Sequence, residues 1–598
     1  EKIMKYQKQR SIRPTRKLLT CALASCLMLG ITPVFAQSTG ATLRGAAVAD
    51  ATITVTNVDT GLTRTAKASN GIYSLAGLPP GTYRIDVNIG GQSSSQAVTL
   101  AVGQTATLNL TAPAATAGPA GDATTLDTVT VTAPLLVETK TSEMVTYVSQ
   151  KQIELLPQNS RNFLAFADLV PGMAFSTSNN GESQLRSGAQ GSNNINVYID
   201  GVGQKNYVTP GGLTGQDDSR GNPFPQLAIG EYKVITSNYK AEYDQISSAA
   251  VTAVTRSGTN EFSGSFYWDH TSDNWRKPTP QEEIGGKARE NTEQYGVAFG
   301  GPIIRDKLHF FLTYEAKDFI VPRFVAAPSN ITEAMTLPSR ITQYYGPASQ
   351  PFNQKVYFGK LSYSANESNL FELTAKYRDE VGVLDVGNDR RIESAGTGLV
   401  NDETRIDLRH QFSSMNWLND AHVTYEKSAY KTDPTRNTVV LWTGSGPNGQ
   451  DKGQKGWAVQ DELTFFGWEG HTLKMGVKYK QVDLNAFQFF PPFPQYFYDV
   501  FDTVDQPYQL QFGAVRPGRN PYVTSSNRQF GIYLQDDWQA SDKLTLNLGV
   551  RWDYERNPSY EDNVLNAGIA TALRAWPNIR NTDYNINDYI STGNNRSS

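Results

Sequence analysis

The chain has 598 residues, too many for one ordinary domain. Charged residues make up 19% and aromatic residues 11%, and 29 Tyr and 50 Gly point to β structure with many turns. Formal net charge is −4, but the first 36 residues carry seven basic and one acidic residue, so the remainder stands at −10 and argues against nucleic acid as a partner. Cys21 and Cys26 both fall in that opening segment, which excludes disulfides, thiol catalysis and Cys-ligated metals from the rest. The five His form no HExxH pair, and no Walker A or GxSxG motif is present, so neither an enzyme nor a metal or other cofactor is expected.

Residues 1–36 read as a secretory signal peptide. Met4 is the expected initiator, Lys5, Lys8, Arg10, Arg13, Arg16 and Lys17 form a basic region, and Leu18 to Ile31 is an apolar run too short to stay in a bilayer. Val34-Phe35-Ala36 offers the cleavage point before Gln37; a lipoprotein site at Leu23-Ala24-Ser25-Cys26 is the alternative. Nothing later is apolar for long enough to make a transmembrane helix, so a life in a membrane requires a barrel.

Residues 37–112 read as a small β-sandwich. Thr52-Ile53-Thr54-Val55 alternates, Asn70-Gly71 is a turn before Ile72-Tyr73-Ser74-Leu75, and Pro80-Gly81 feeds Thr82-Tyr83-Arg84-Ile85-Asp86-Val87. This pattern resembles the carboxypeptidase regulatory-like domain, which implies a sandwich without peptidase activity; it serves either as a spacer or in binding carbohydrate or protein. Residues 113–138 are a linker whose Ala, Thr, Gly and Pro give it little to pack, followed by an isolated strand-former, Leu126-Asp127-Thr128-Val129-Thr130-Val131-Thr132. Such a segment can add to another protein's sheet edge or form an edge strand of its own domain. Residues 139–258 read as an α/β globule, with a short helix from Arg161 ended by Pro171-Gly172, a strand at Asn194–Gly201 with a turn at its end, and another at Val251–Gly258.

From residue 259 to 598 the pattern changes. Leu544, Leu546, Leu548, Val550, Trp552 and Tyr554 alternate with polar residues or Gly, and about eleven such dyad segments follow from Phe262–Trp268 onward. Short gaps near 301–307, 365–368, 413–419, 467–471 and 539–542 alternate with long ones, the asymmetry of periplasmic turns and outer loops. The expected fold is therefore mainly β: an N-terminal sandwich, an α/β domain and a transmembrane antiparallel barrel, in the outer membrane of a Gram-negative bacterium.

The ordered set of motifs resembles TonB-dependent outer-membrane transporters of the Oar-like group. Leu169-Val170-Pro171-Gly172, Leu185-Arg186-Ser187-Gly188 and Val197-Tyr198-Ile199-Asp200-Gly201 resemble plug motifs, Val254 to Asn260 the plug-to-barrel junction, and Tyr533 to Trp538 with Leu548 to Asp553 a barrel hairpin. The resemblance implies that 139–258 is a plug, that Leu126 to Thr132 is the TonB box, and that TonB with its inner-membrane complex energises import of a scarce solute. It further implies a barrel of 22 strands, of which about half is visible. Half a barrel would leave sheet edges in lipid, so the sequence is expected to be either a fragment of a longer one, closed with the barrel assembly machinery, or a truncated gene product. The usual Gly-Gly is replaced at Ser248-Ala249-Ala250. Arg186, Glu231 and Arg256 are candidate plug charges that pair within the barrel, or solvated charges. Phe489, Phe490, Phe493, Tyr496, Phe497 and Tyr498 form an aromatic outer-loop candidate, able to stack on a siderophore, sugar or peptide or to form the loop's own core. The rival functions are a surface adhesion or signalling protein in the same membrane and, more distantly, a secreted enzyme.

Overall fold

The computed structural model describes residues 39–110, 141–325, 339–387, 396–434, 449–489, 495–497, 506–511, 522–556 and 567–575, less a few positions within them. The expected signal peptide and residues 126–132 lie outside the described residues.

The N-terminal domain comprises β1 (Ala41–Ala46), β2 (Thr52–Asn57), β3 (Thr63–Lys67), β4 (Ile72–Leu78), β5 (Gly81–Ile89), β6 (Gln92–Leu100) and β7 (Thr105–Thr107). They form two sheets, β4-β1-β7 and β3-β2-β5-β6, which share one core. The alternation seen in the sequence puts Ile53, Val55, Tyr83, Ile85 and Val87 into it. The Tyr83 hydroxyl donates to the Pro79 carbonyl (2.7 Å), so the Pro-Gly-Thr-Tyr segment is a locked corner between the sheets.

The second domain holds β8 (Met144–Val148), α1 (Gln150–Leu155), β9 (Met173–Thr177), β10 (Ser183–Ser187), β11 (Ile195–Ile199), β12 (Val202–Gly203), β13 (Ile229–Ser237) and β14 (Ala249–Thr255). Five strands make a sheet in the order β12-β11-β14-β13-β8, with β8 at its edge; β9 and β10 pair separately. Ser149 and Gln152 cap α1 reciprocally. The helix expected after Arg161 is a 3-10 turn, Phe163–Leu169, started by the Asn162 side chain and followed by Gly172 at φ +86°. β11 and β14 are parallel neighbours, which brings two separated motifs together: Asp200 accepts the Thr255 N–H (2.8 Å) and hydroxyl (2.6 Å).

The eleven dyad segments fall on one antiparallel sheet of eleven strands in chain order: β15 (Ser263–Ser272), β16 (Asn291–Ile304), β17 (Leu308–Val325), β18 (Gly346–Asn366), β19 (Asn369–Leu384), β20 (Thr397–Ser413), β21 (Trp417–Pro434), β22 (Gly449–Phe465), β23 (His471–Phe489), β26 (Val523–Ser541) and β27 (Leu544–Arg556). A small hairpin, β24 (Gln495–Phe497) with β25 (Gln509–Gln511), lies between β23 and β26 in sequence. The short connections fall at 305–307, 367–368, 414–416, 466–470 and 542–543, as the gaps implied. Strands run from 10 to 21 residues, longer than the dyads. Beyond Tyr377, for example, β19 continues through Asp379 and Glu380, where no apolar face marks it, yet its ladder to β18 persists.

Burial is inverted relative to a soluble protein. On β20, Ile406, Leu408 and Phe412 are exposed while Glu403, Arg405, Asp407, Arg409 and Gln411 are buried. Two aromatic rows bound the apolar band: Tyr314, Tyr357 and Tyr377 (centroids 4.9 and 6.1 Å apart) and Tyr363, Phe371 and His410 (6.5 and 4.4 Å). Leu361, Leu373 and Leu408 lie in register between them. Such girdles mark the edges of the lipid-facing band. Leu408→Arg is therefore expected to cost roughly 2–4 kcal/mol, read as lower resistance to urea of the vesicle-inserted protein. Unchanged resistance would mean that this face does not meet lipid.

Candidate functional site

Period-two alternation aims every second strand residue at the lumen, and here that face is ionic. Several of the buried charges find a partner on a neighbouring strand. Lys376 meets Glu403 (2.7 Å), Arg405 meets Glu426 (2.9 Å), and Arg409 grips Asp420 with two bonds (2.7 and 2.6 Å) and reaches Glu372 (2.9 Å). His422 Nδ1 lies 2.8 Å from Asp407. Unpaired, these groups would be prohibitively costly to bury.

The second domain fills the space these side chains face. Around β17 and β18, Lys317 donates to the Ser160 carbonyl (2.6 Å) and Asn222 (2.7 Å), Glu315 accepts the Leu227 N–H (2.6 Å), and Lys360 reaches Thr255 (3.3 Å) and Asp200 (3.7 Å). Around β19 and β20, Ser219 donates to Glu380 (2.5 Å) and Lys376 donates to the Pro223 carbonyl (3.1 Å). On the side of β23 and β26, Asp244 meets Lys478 (2.6 Å), Glu242 meets Lys474 (3.3 Å) and Lys240 meets Asp537 (3.1 Å). Burial pushes the Asp244 carboxyl up, but the Lys478 ammonium and Arg551 guanidinium outweigh it and hold it at about 2. The domain is a polar stopper keyed to the wall at three places.

The charges singled out from sequence go to three different environments and do not meet. Arg186 is exposed on β10 and donates to Gln184 of its own strand (3.1 Å). Arg256 lies 3.6 Å from Glu154 and over the buried Phe311 ring of β17, at 5.4 Å from the centroid. Glu231 turns toward the N-terminal sandwich, where it accepts the Val102 N–H. Burial pushes its carboxyl up to about 7, opposed by that bond. The stopper's ionic contacts to the wall at Lys240, Glu242 and Asp244 carry no motif, and their partners lie on distant strands. Of the aromatic candidates, Phe489 stacks on Phe487 (5.1 Å), which leans on Tyr522 (5.3 Å). Tyr496 and Phe497 lie on β24, whereas Phe490, Phe493 and Tyr498 lie outside the described residues.

Two outcomes follow. Lys478→Met leaves Asp244 buried beside a lost partner, expected to cost about 3–5 kcal/mol and to appear as faster amide exchange in β11 and β14. Combining it with Asp244→Asn should restore part of the protection; additive losses would deny the coupling. Glu231 carries a raised pKa, so its contribution is full below its ordinary value of 4.5 and lost as pH rises through about 7. Exchange at Val102 should therefore quicken from about pH 5 to about pH 8 relative to Glu231→Gln, after correction for intrinsic rates; matching profiles would exclude the titration.

Comparison with known proteins agrees with this anatomy. The outer membrane beta barrel domain matches residues 254–337 and 322–575, the TonB-dependent receptor plug domain residues 138–251, and the carboxypeptidase regulatory-like domain residues 41–113. TonB-dependent transporter Oar of Myxococcus xanthus is 27% identical over 212 residues, covering 31% of this chain and 19% of Oar. The outer membrane transporter YddB of Escherichia coli aligns with a TM-score of 0.52 at 12% identity, over 70% of this chain and 57% of YddB. FpvA of P. aeruginosa, solved with a heterologous pyoverdine, aligns at 0.50 and 14%, over 71% of this chain and 53% of FpvA. The chain thus spans a little over half the length of these solved structures and about a fifth of Oar; the structural likeness concerns fold. With the barrel family matched over more than half its length, a plug in the lumen and a regulatory-like sandwich in front, the chain belongs to the outer-membrane β-barrel family, in its plugged, TonB-dependent receptor form.

Proposed function

We propose that the protein imports a scarce solute across the outer membrane, with TonB supplying the energy. The observation that carries this reading is the chemistry of the plug–wall interface. Part of the interface is apolar, where Ala298, Phe311 and Phe358 of the wall join the plug's core, but much of it is built from ion pairs and hydrogen bonds between Asp200, Ser219, Glu242 and Asp244 on one side and Lys360, Glu380, Lys474 and Lys478 on the other. Water can replace those partners, so over the ionic part of the seam the plug can shift without exposing apolar surface. Static closure with a wettable seam is the property of a gate.

In this reading residues 126–132 pair with TonB, the limits 37–112, 113–138, 139–258 and 259–598 separate sandwich, linker, plug and barrel, and Arg256 helps to seat the plug against Phe311. Outer loops, with the aromatic stretch that starts at Phe489, contact the solute. FpvA was solved with a pyoverdine and Oar is named a TonB-dependent transporter, so siderophores head the solutes to try, followed by oligosaccharides and peptides.

Deleting residues 126–132 tests the proposal. Uptake of radiolabelled members of those three classes should fall to the level of a strain without TonB, while the protein stays in the outer-membrane fraction with heat-modifiable gel mobility. Uptake unaffected by the deletion would refute it.

A further inference from the structure

The N-terminal sandwich is not a bead on a string: it sits on the periplasmic mouth of the barrel. Four consecutive periplasmic turns touch it or lie within its electrostatic reach. At the first, between β16 and β17, the Asn260 N–H donates to the Asp59 carbonyl (2.8 Å), the Asn260 side chain binds Asp306 (2.7 Å), and a Cβ at Gly61 would meet Asp306 Oδ1 at 2.1 Å. At the second, between β18 and β19, Glu367 lies in electrostatic reach of Arg64, which is 3% exposed. At the third, between β20 and β21, Ser413 donates to the Ala76 carbonyl (3.3 Å), and Gly77 is so close to Leu418 that a Cβ there would come within 2.5 Å. At the fourth, between β22 and β23, Arg44 reaches Thr472 (3.4 Å). In the centre, the loop after β6 lands on the plug itself through Val102 and Glu231.

Between these contacts lies a cleft of about 530 Å³ lined from all three parts, by Asn57 and Pro80 of the sandwich, Glu231 and Arg256 of the plug, and Lys360 and Arg409 of the wall. It lies on the periplasmic side of the plug, where anything passing between plug and wall at β17 to β20 would emerge. Glycine at Gly61 and Gly77, with φ of +72° and +67°, lets the sandwich backbone come this near.

We propose that the sandwich is a removable cap, an autoinhibitory seal whose binding partner is the plug and periplasmic turns of its own chain, and that it must leave its seat before the cleft opens to the periplasm. The inference rests on the import reading for what lifts the cap, but not for the seal. The hydrogen bonds at Asp59, Ala76 and Val102 engage sandwich backbone, which suits a surface that separates and reseats. The cap also precedes residues 126–132 in the chain, so a partner pulling on that segment lies between cap and plug and can act on both.

The test places a single thiol in the cleft, Ser362→Cys, in the intact protein in living cells. Reaction with a water-soluble maleimide small enough to pass porins is then followed. Removing residues 37–112 should speed labelling about ten-fold or more. Energised cells should label faster than cells whose proton gradient has been collapsed. In a second variant, Asp59→Cys and Asp306→Cys are added and joined by a short reducible bifunctional thiol reagent before labelling. This should abolish the energised increment, and reductant should restore it. Equal labelling with and without residues 37–112 would overturn the seal, and an energised increment that survives the cross-link would overturn the need for the cap to leave. Faster labelling on deletion without any effect of the gradient would uphold the seal and count against the import reading instead.

Discussion

A bilayer offers no hydrogen-bond partners, and that one restriction organises the molecule. Every backbone group in the lipid-facing band must be satisfied by a neighbouring strand, so the chain is laid out as eleven strands in unbroken antiparallel succession. Because side chains alternate, the same ladder that hides the backbone divides each strand into an apolar outer face and an inner one that must be something else. Here it is ionic. An inner face lined with Glu403, Arg405, Asp407 and Arg409 cannot be covered by an ordinary apolar core, and the domain that covers it is correspondingly polar at its rim.

Ion pairs this buried are weak evidence for stability, since desolvation consumes most of what the attraction supplies. Their contribution is better understood as positional. Anchors at Lys317 and Lys360, at Lys376 and Glu380, and at Lys474 and Lys478 lie around the wall, and their complements on the plug are Asn222 and Asp200, Pro223 and Ser219, and Glu242 and Asp244. A plug rotated by one strand would break these pairings and leave buried charges without partners. The interface thus fixes one orientation while remaining exchangeable with water, a combination that apolar packing cannot provide.

The barrel was legible in the sequence because lipid imposes a simple rule: Leu544 to Tyr554 could alternate in that way for few other reasons. The five short turns were legible from the gaps alone. Strand ends were not, since past Tyr377 the ladder continues through Arg378, Asp379 and Glu380, where the apolar alternation lapses. Single charges were harder. Arg186, Glu231 and Arg256 stood out because they lie in or beside motif-like segments, yet one is exposed, one faces the sandwich and one faces the wall. What distinguishes Asp244 is a lysine 234 positions away, and no local pattern encodes that. Likewise nothing in residues 37–112 announces a surface for periplasmic turns; the approach of Gly61 to Asp306 and of Gly77 to Leu418 is visible only in the structure.

The place of β8 has a mechanical consequence. It is the edge strand of the plug sheet, paired on one side with β13 through five register pairs from Met144–Ser237 to Val148–Tyr232. Tension that enters the plug from its N-terminal side reaches Met144 first. A load delivered at one end of a short edge strand breaks its bonds in series, one or two at a time, rather than all in parallel. The Lys233–Glu143 pair (3.8 Å) stands at that same border. The plug therefore has a built-in tear line: modest force suffices where the chain enters, while the strands next to the barrel wall, keyed by Asp200 and Asp244, carry load only after the edge has yielded.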